Sequence, residues 1–201
     1  MPQTLPLPYE PTPNRKRWTR RECRFLTENG LLTGRYELID GEIISQMGQN
    51  PPHAYVVVRL TAYLIGVFGA DFVRMQLPID VAESDNETNE PEPDGAVLSR
   101  PASAYLSGNP GPADLRLVVE VSDSTRGFDL RTKAALYARA GIAEYWVIDL
   151  VDRRVIVHRS PAADSGYSER VAYAADEPLA PLAAPESPVP VASLLPPVAA
   201  E

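Results

Sequence analysis

The chain has 201 residues, of which 44% are hydrophobic, with a formal net charge of −8 and one cysteine, Cys23. This predicts a single soluble globular domain without a membrane partner, because no apolar run approaches the roughly 20 residues that span a bilayer. One cysteine excludes an intramolecular disulfide and a cysteine-based zinc cluster. No export signal is recognisable, so we expect a cytoplasmic protein. The acidic balance argues against nucleic-acid binding through a broad basic surface.

The chain begins with signals for an arm, a helix and a β-hairpin. Residues 1–14 hold five prolines, which predicts an extended or disordered arm. Thr19 and Glu22 have the spacing of a capping box, so a short helix is expected from about 19 to 29. Two alternating apolar runs then flank Asp40-Gly41, a dipeptide typical of a tight hairpin turn.

Strand and helix patterns alternate through the rest of the chain. Apolar residues recur at helical spacing from about 53 to 68, and Leu115–Ser122 is typical of a strand covered on both faces. Further strands are expected at 72–81, just after Pro93, and at 143–149, 154–158 and 168–173, with a helix at about 129–140. This order predicts an α/β fold with a mixed sheet, in which that helix is the crossover. The domain should cover 15–175, followed by a loosely attached Pro/Ala-rich tail at 176–201.

Glu120 lies inside the long apolar strand, where packing alone does not explain a carboxylate. Burying it without a partner costs several kcal/mol or forces it to take up a proton, so a cation or a lysine is expected beside it. Asp94 heads a neighbouring short strand. These two carboxylates with the backbone carbonyl of Val121 would suit Mg²⁺, which prefers oxygen ligands. Lys133, on the same helix face as Tyr137, could then orient or help deprotonate an attacking water.

Each of these residues has a simpler interpretation. Asp94 could be a turn aspartate after proline, Glu120 could form an ion pair with Lys133 and nothing else, and Lys133 alone would be a solvated lysine. Glu42 in the hairpin and His53 at the start of the long helix are accessory candidates, with ordinary polar roles as the alternative. Neither a hydrolase nucleophile elbow nor a phosphate-cradling glycine loop is present.

The sequence resembles the Uma2-like family, formerly known as DUF820, which is assigned to the PD-(D/E)XK restriction-endonuclease-like fold. The resemblance covers about residues 19–160 in order, and both the arm and the tail lie outside it. The matching segments are Tyr36–Glu42, His53, Pro93-Asp94, Leu117–Ser122, Asp129 with Lys133 and Tyr137, and Gly141–Asp149.

The resemblance implies that Asp94 and Glu120 are the acidic residues of the motif. Ser122 occupies the place of the motif lysine, and in the Uma2-like pattern a lysine on the following helix, here Lys133, stands in for it. The function implied is a Mg²⁺- or Mn²⁺-dependent endonuclease that hydrolyses DNA phosphodiester bonds. Arg126 and Arg131, near the predicted site, could contact phosphates, with simple solubility as the alternative role of exposed arginines.

Two questions stay open at this point. Nucleases that cut both strands often work as dimers, so we expect a homodimer. The alternative function is a catalytically inactive nuclease-fold scaffold that binds a protein or nucleic acid partner, and the acidic charge and the missing strand lysine favour it. A structural ion pair between Glu120 and Lys133 is a third interpretation.

Overall fold

A computed structural model describes residues 15–46 and 50–198, so the arm expected at 1–14 lies outside the described residues. The architecture is the predicted α/β fold, a mixed sheet flanked by helices and preceded by a helix and a hairpin. The strands of the sheet are β3 Val73–Arg74, β4 Gly95–Leu98, β5 Leu115–Ser122, β6 Glu144–Asp149, β7 Arg154–Ala162 and β8 Gly166–Tyr173. They lie in this order across the sheet, and β5 and β6 are parallel while the other pairs are antiparallel.

Two helices and a hairpin precede or cover this sheet. Helix α1, Arg20–Glu28, has the predicted capping box at Thr19, and hairpin strands β1, Tyr36–Ile39, and β2, Glu42–Ser45, follow it. Helix α2, Pro51–Phe68, begins at the Asn50 cap and buries Val56, Leu60 and Leu64 against one face of the sheet. None of the helices in the described ranges is long and apolar enough to cross a membrane.

The parallel strands β5 and β6 are joined by a helix with an irregular centre. We call residues 126–139 the crossover helix: its α-helical ends, Arg126–Phe128 and Ala134–Arg139, flank a π-helical segment, Asp129–Lys133. Ala134 and Tyr137 pack on the sheet face opposite α2. Expecting a helix that starts at Asp129 was therefore wrong, because a turn of helix precedes this residue.

The strand expected at 72–81 is much shorter than predicted. Only Val73–Arg74 pair with β4. Gln76 has a positive φ of 51°, which takes the backbone out of the extended conformation, and the chain continues as a loop past Ile79. Ile79 and Val81 are buried without lying in a strand. The alternation of apolar residues in this segment therefore marks which side chains are buried and not a strand that pairs in the sheet.

The C-terminal segment is not the loosely attached tail that its composition suggested. As far as Val198, where the description ends, it forms a short strand pair, Pro178–Leu179 with Val189–Pro190, and packs into the core beside α2. Glu144 also accepts a hydrogen bond from the backbone N of Leu182 at 2.7 Å. The prolines separate aliphatic anchors that are all at least nine-tenths buried: Leu179, Val189, Val191, Leu194 and Leu195.

Candidate active site

Asp94 and Glu120 lie side by side on adjacent strands. The register of β4 and β5 pairs Gly95 with Val119, which brings Asp94 to the level of Glu120. Side chains alternate along a strand, so Glu120 shares the face of Val118, which the crossover helix covers. The backbone N of Val121 donates to Asp94 Oδ2 at 2.8 Å, which fixes the aspartate against the end of β5.

Lys133 reaches Glu120 from the crossover helix. Its Nζ lies 2.9 Å from Glu120 Oε1 and 2.9 Å from Glu37 Oε2, and 3.9 Å from Asp129 Oδ1. All four side chains are at least nine-tenths buried. Burial acts to lower the pKa of Lys133, but the carboxylates of Glu120, Glu37 and Asp129 outweigh it and raise that pKa. The lysine therefore stays an ammonium ion.

The π-helical turn is anchored through Asp129. Its Oδ2 accepts hydrogen bonds from Ser122 Oγ and Thr125 Oγ1, each at 2.6 Å, and its backbone carbonyl accepts one from the Tyr145 hydroxyl at 3.2 Å. Asp129 and Lys133, four residues apart, lie on the same face of this helix, as residues at that spacing do in an α-helix. Ser122, where the motif has its lysine, thus helps to hold the helix that carries Lys133.

Glu120 is kept from ionising freely by its surroundings. Burial raises its pKa, Lys133 lowers it, and the charges of Asp129, Asp94 and Glu37 raise it further, with a net result well above the ordinary value. Tyr137 donates from its hydroxyl to the same oxygen as Lys133, Oε1, at 3.0 Å. The other oxygen, Oε2, is thus the one available to a ligand.

Asp94 contacts His53, which α2 brings to the site. His53 Nε2 lies 3.3 Å from Asp94 Oδ2, and Gln76 Nε2 donates to Asp94 Oδ1 at 3.1 Å. Burial acts to raise the pKa of Asp94, but the hydrogen bond and charge of His53 and the Val121 N–H lower it overall. Burial acts to lower the pKa of His53, and Asp94 reverses this and raises it.

Glu37 joins the site although the sequence pointed to Glu42 instead. The β1–β2 register pairs Glu37 with Ile44, and both line the central cavity. Glu42 pairs with Ile39 beside the turn, its side chain is 55% exposed and it contacts Arg15, so the structure places this accessory candidate away from the site. Glu37 shares one sequence signal with Glu120, a carboxylate within an apolar strand, but its strand of four residues is too short for that signal to decide between Glu37 and Glu42.

A cavity of about 790 Å³ opens above these residues. Asp94, Glu120, Val121, Lys133 and His53 all line it, whereas Tyr137 lies beneath Glu120, fully buried. The described part of the lining carries an excess of negative charge, since it has six carboxylates, two side chains with permanent positive charge, and one histidine. The carboxylates are Glu37, Glu92, Asp94, Glu120, Asp123 and Asp129, and the cations are Arg35 and Lys133.

A family model described as "Uma2: Putative restriction endonuclease" matches residues 31–192. The chain belongs to the Uma2 family. A crystal structure titled a putative nuclease of DUF820 from Anabaena variabilis ATCC 29413 shares the fold, with a TM-score of 0.60 and 17% identity over 84% of this chain and 96% of that one. No curated protein matches the chain.

The Uma2 match extends to residue 192, so it includes most of the C-terminal segment and leaves α1 outside. Arg126, one of the two arginines that were expected near phosphates, has other contacts. Arg126 forms ion pairs with Asp149 at 3.0 Å and Asp152 at 2.6 Å, and neither Arg126 nor Arg131 is among the described residues that line the cavity.

Proposed function

We propose that this Uma2 chain is a divalent-metal-dependent endonuclease that hydrolyses phosphodiester bonds in DNA. The observation that carries the proposal is the convergence of Asp94, Glu120 and Lys133 at one cavity with an excess of carboxylates. A polyanionic substrate would be repelled from such a cavity unless cations offset its charge.

The donor set fits a hard cation such as Mg²⁺ or Mn²⁺. Asp94, Glu120 Oε2 and the carbonyl of Val121 would hold it, and the low pKa of Asp94 favours an ionised ligand. Among the described residues, no group of three or more His, Cys, Asp or Glu side chains is arranged as a metal site. Two carboxylates are nevertheless an ordinary protein share for Mg²⁺, which keeps waters and substrate oxygens as its other ligands.

When bound, the ion would lower the pKa of a coordinated water and offset negative charge on the phosphate. Lys133, held as an ammonium ion, is a poor proton acceptor, so its role is to orient the attacking water and stabilise the negative charge that develops on phosphorus oxygens. Attack of water on phosphorus forms one P–O bond while the bond to the 3′ oxygen breaks; the water gives up one proton to solvent, and the leaving 3′ oxygen takes one up from solvent. Asp129 and Tyr137 keep Lys133 and Glu120 in place.

The test uses supercoiled plasmid with Mg²⁺ or Mn²⁺, comparing the wild type with Asp94→Asn, Glu120→Gln and Lys133→Met. Each variant should lose cleavage, and calorimetry should show metal binding weakened in the first two. Glu42→Gln is the matched control because Glu42 is exposed and lies away from the cavity. Cleavage that survives all three substitutions would refute the assigned roles.

The second candidate function is an inactive scaffold, which the ion pairing of Lys133 with both Glu37 and Glu120 favours, since a lysine already neutralises part of the cluster. In that case calorimetry with Mg²⁺ would give no binding that depends on Asp94.

Cleavage of both DNA strands requires two active sites, so we also propose that the protein forms a homodimer. Analytical ultracentrifugation tests this.

A further inference from the structure

The described part of this acidic chain begins with a strongly basic segment. Residues 15–24 hold six of the 19 lysines and arginines and one glutamate, while the whole chain has a net charge of −8. We call the surface of this segment, with α1, the basic face. Five of its cations are exposed and the sixth, Arg20, is tied to Asp80 at 2.6 Å. The exposed cations are Arg15, Lys16, Arg17, Arg21 and Arg24.

The basic face also carries an apolar groove. Trp18, Phe25 and Leu26 line it together with Arg21 and Glu22. Phe25 is 60% exposed although it is a large apolar residue, and Lys16 Nζ lies 5.2 Å from the centre of the Trp18 ring. Two aromatic rings among cations are the elements of a surface for single-stranded nucleic acid, because bases stack on the rings while phosphates contact the cations.

Acidic side chains that contact the cations of this surface compete only weakly with phosphates for them. Arg15 contacts Glu42 at 3.3 Å and Lys16 contacts Glu22 at 2.6 Å, and both pairs are largely exposed. Exposed ion pairs contribute little free energy, so a phosphate can displace them. Arg21 and Arg24 lie one turn apart on α1 and are exposed to solvent.

The hairpin connects the basic face to the cavity. Trp18 N donates to the carbonyl of Gly41 at 2.8 Å and Arg17 Nε to that of Asp40 at 3.1 Å, so the segment is fixed to the turn end of the hairpin. The other end of β2, at Ile44 and Ser45, lines the cavity. At about 3.3 Å per residue, β2 spans roughly 10 Å. This is the length of about three nucleotides along one strand of a nucleic-acid helix.

We propose that the basic face binds a single-stranded segment of nucleic acid that flanks the bond in the cavity, with bases against Trp18 and Phe25 and phosphates against Arg21 and Arg24. That this nucleic-acid segment continues into the cavity rests on the proposed function. Its binding to the basic face does not. Most of the surface precedes residue 31, where the family match begins.

The test measures binding of a fluorescent single-stranded oligonucleotide by anisotropy in EDTA, where no metal-dependent cleavage occurs, so a failure of catalysis and a failure of binding are distinguishable. Arg21→Glu/Arg24→Glu should weaken binding at least tenfold. Replacing both arginines by alanine should reduce the slope of log K against log salt by about 1.4, the value for two phosphate contacts on a single strand. Arg116→Glu/Arg170→Glu is the control, because these exposed arginines lie on β5 and β8 and change the net charge equally.

The aromatic part has its own readout. Phe25→Ala should weaken binding about tenfold with the salt slope unchanged, as expected for loss of stacking. Bound oligonucleotide should also quench the emission of Trp18, since the other tryptophan, Trp146, is fully buried. Circular dichroism checks that each variant is folded.

Three results would overturn the proposal: no oligonucleotide binding by the wild type, equal losses in the Arg21/Arg24 and Arg116/Arg170 variants, or unchanged affinity in Phe25→Ala. Sedimentation with phosphatidylcholine vesicles that contain phosphatidylserine examines the competing partner. If the Arg21/Arg24 variant loses vesicle binding and keeps oligonucleotide binding, the basic face is a membrane surface and the proposal fails.

Discussion

At the scale of single residues, Lys133 decides whether the buried carboxylates are tolerated. We predict that Lys133→Met lowers the free energy of unfolding at pH 7 by about 3–5 kcal/mol, because it leaves Glu120 and Glu37 buried without their cation. Both glutamates have raised pKa values, so the folded state binds more protons than the unfolded state above about pH 4.3. The variant should therefore regain stability as the pH falls from 7 toward 5.

Urea denaturation at several pH values measures this. Lys16→Met, which replaces the chain's other lysine at an exposed ion pair, is the control and should change little. A Lys133 variant as stable as the wild type at pH 7 would show that the two carboxylates find another partner.

A candidate residue could be predicted from the sequence where the pattern of its own strand was long enough to show that the residue is buried. Glu120 stands in an eight-residue apolar strand, so its burial and its need for a partner follow directly from the residues. Glu37 was missed because its strand has four residues, too few for alternation to separate a buried glutamate from the exposed Glu42. The choice depends on what packs over the hairpin, and no local pattern contains that information.

At the scale of elements, the hairpin turn holds the segment before α1. Gly41 has a φ of 78°, and a Cβ there would lie 2.7 Å from Arg17 Cβ and 3.0 Å from its Cα. Gly34 has a φ of 85° with no atom within 4 Å of such a Cβ, so it shares the backbone strain without the overlap. We predict that Gly34→Ala costs about 1–2 kcal/mol and Gly41→Ala clearly more, measured by chemical denaturation.

Equal losses in the two alanine variants would mean that the segment shifts freely. Gly41→Ala should also weaken oligonucleotide binding, because Arg17 and Trp18 would be displaced from the hairpin. The Asp40-Gly41 pair predicted the turn correctly. The docking of residues 15–18 onto it could not be predicted, since it depends on a contact between positions more than 20 residues apart.

The C-terminal segment packs into the core although its Pro/Ala-rich composition predicted a loosely attached tail. Leu194 is 1% exposed within the core cluster that includes α2, whereas Leu182 in the same segment is 51% exposed. We predict that Leu194→Ala lowers the free energy of unfolding by about 2–5 kcal/mol and that Leu182→Ala changes it by less than about 1 kcal/mol. Similar small effects at both positions, measured by thermal or urea unfolding, would mean that the segment contributes little to the core.

At the scale of the whole molecule, the fold divides into two apolar layers on opposite sides of one sheet, and the site lies between them at the start of β4 and the end of β5. The parallel pair and its crossover helix followed from the sequence because chain order and handedness leave few arrangements. The π-helical turn did not, since its extra residue is set by Asp129, Ser122 and Thr125 meeting across the end of the strand. The site thus depends on an irregularity that a periodic pattern does not contain.

The stability of the whole molecule in acid should depend strongly on one buried group, His158. It lies on the sheet face that the crossover helix covers. His158 is 3% exposed, packs against Tyr145 and Tyr167 and faces Arg170 across the β7–β8 register. Neither ring nitrogen has a hydrogen-bond partner among the described residues. Burial and, after it, the charge of Arg170 lower the pKa of His158 to about 4.

A histidine whose pKa is lower in the folded state than in the unfolded state loses its contribution to stability as the pH falls, because the unfolded chain takes up the proton first. Between about pH 6.5 and 4 the cost should reach about 3 kcal/mol. We predict that the wild type loses this much more stability than His158→Phe between pH 7 and pH 4, in urea denaturation of both proteins. The difference between the two isolates the histidine, since the carboxylates that titrate in the same range are common to both. Parallel stability curves would mean that the imidazole is protonated as easily inside the protein as outside it.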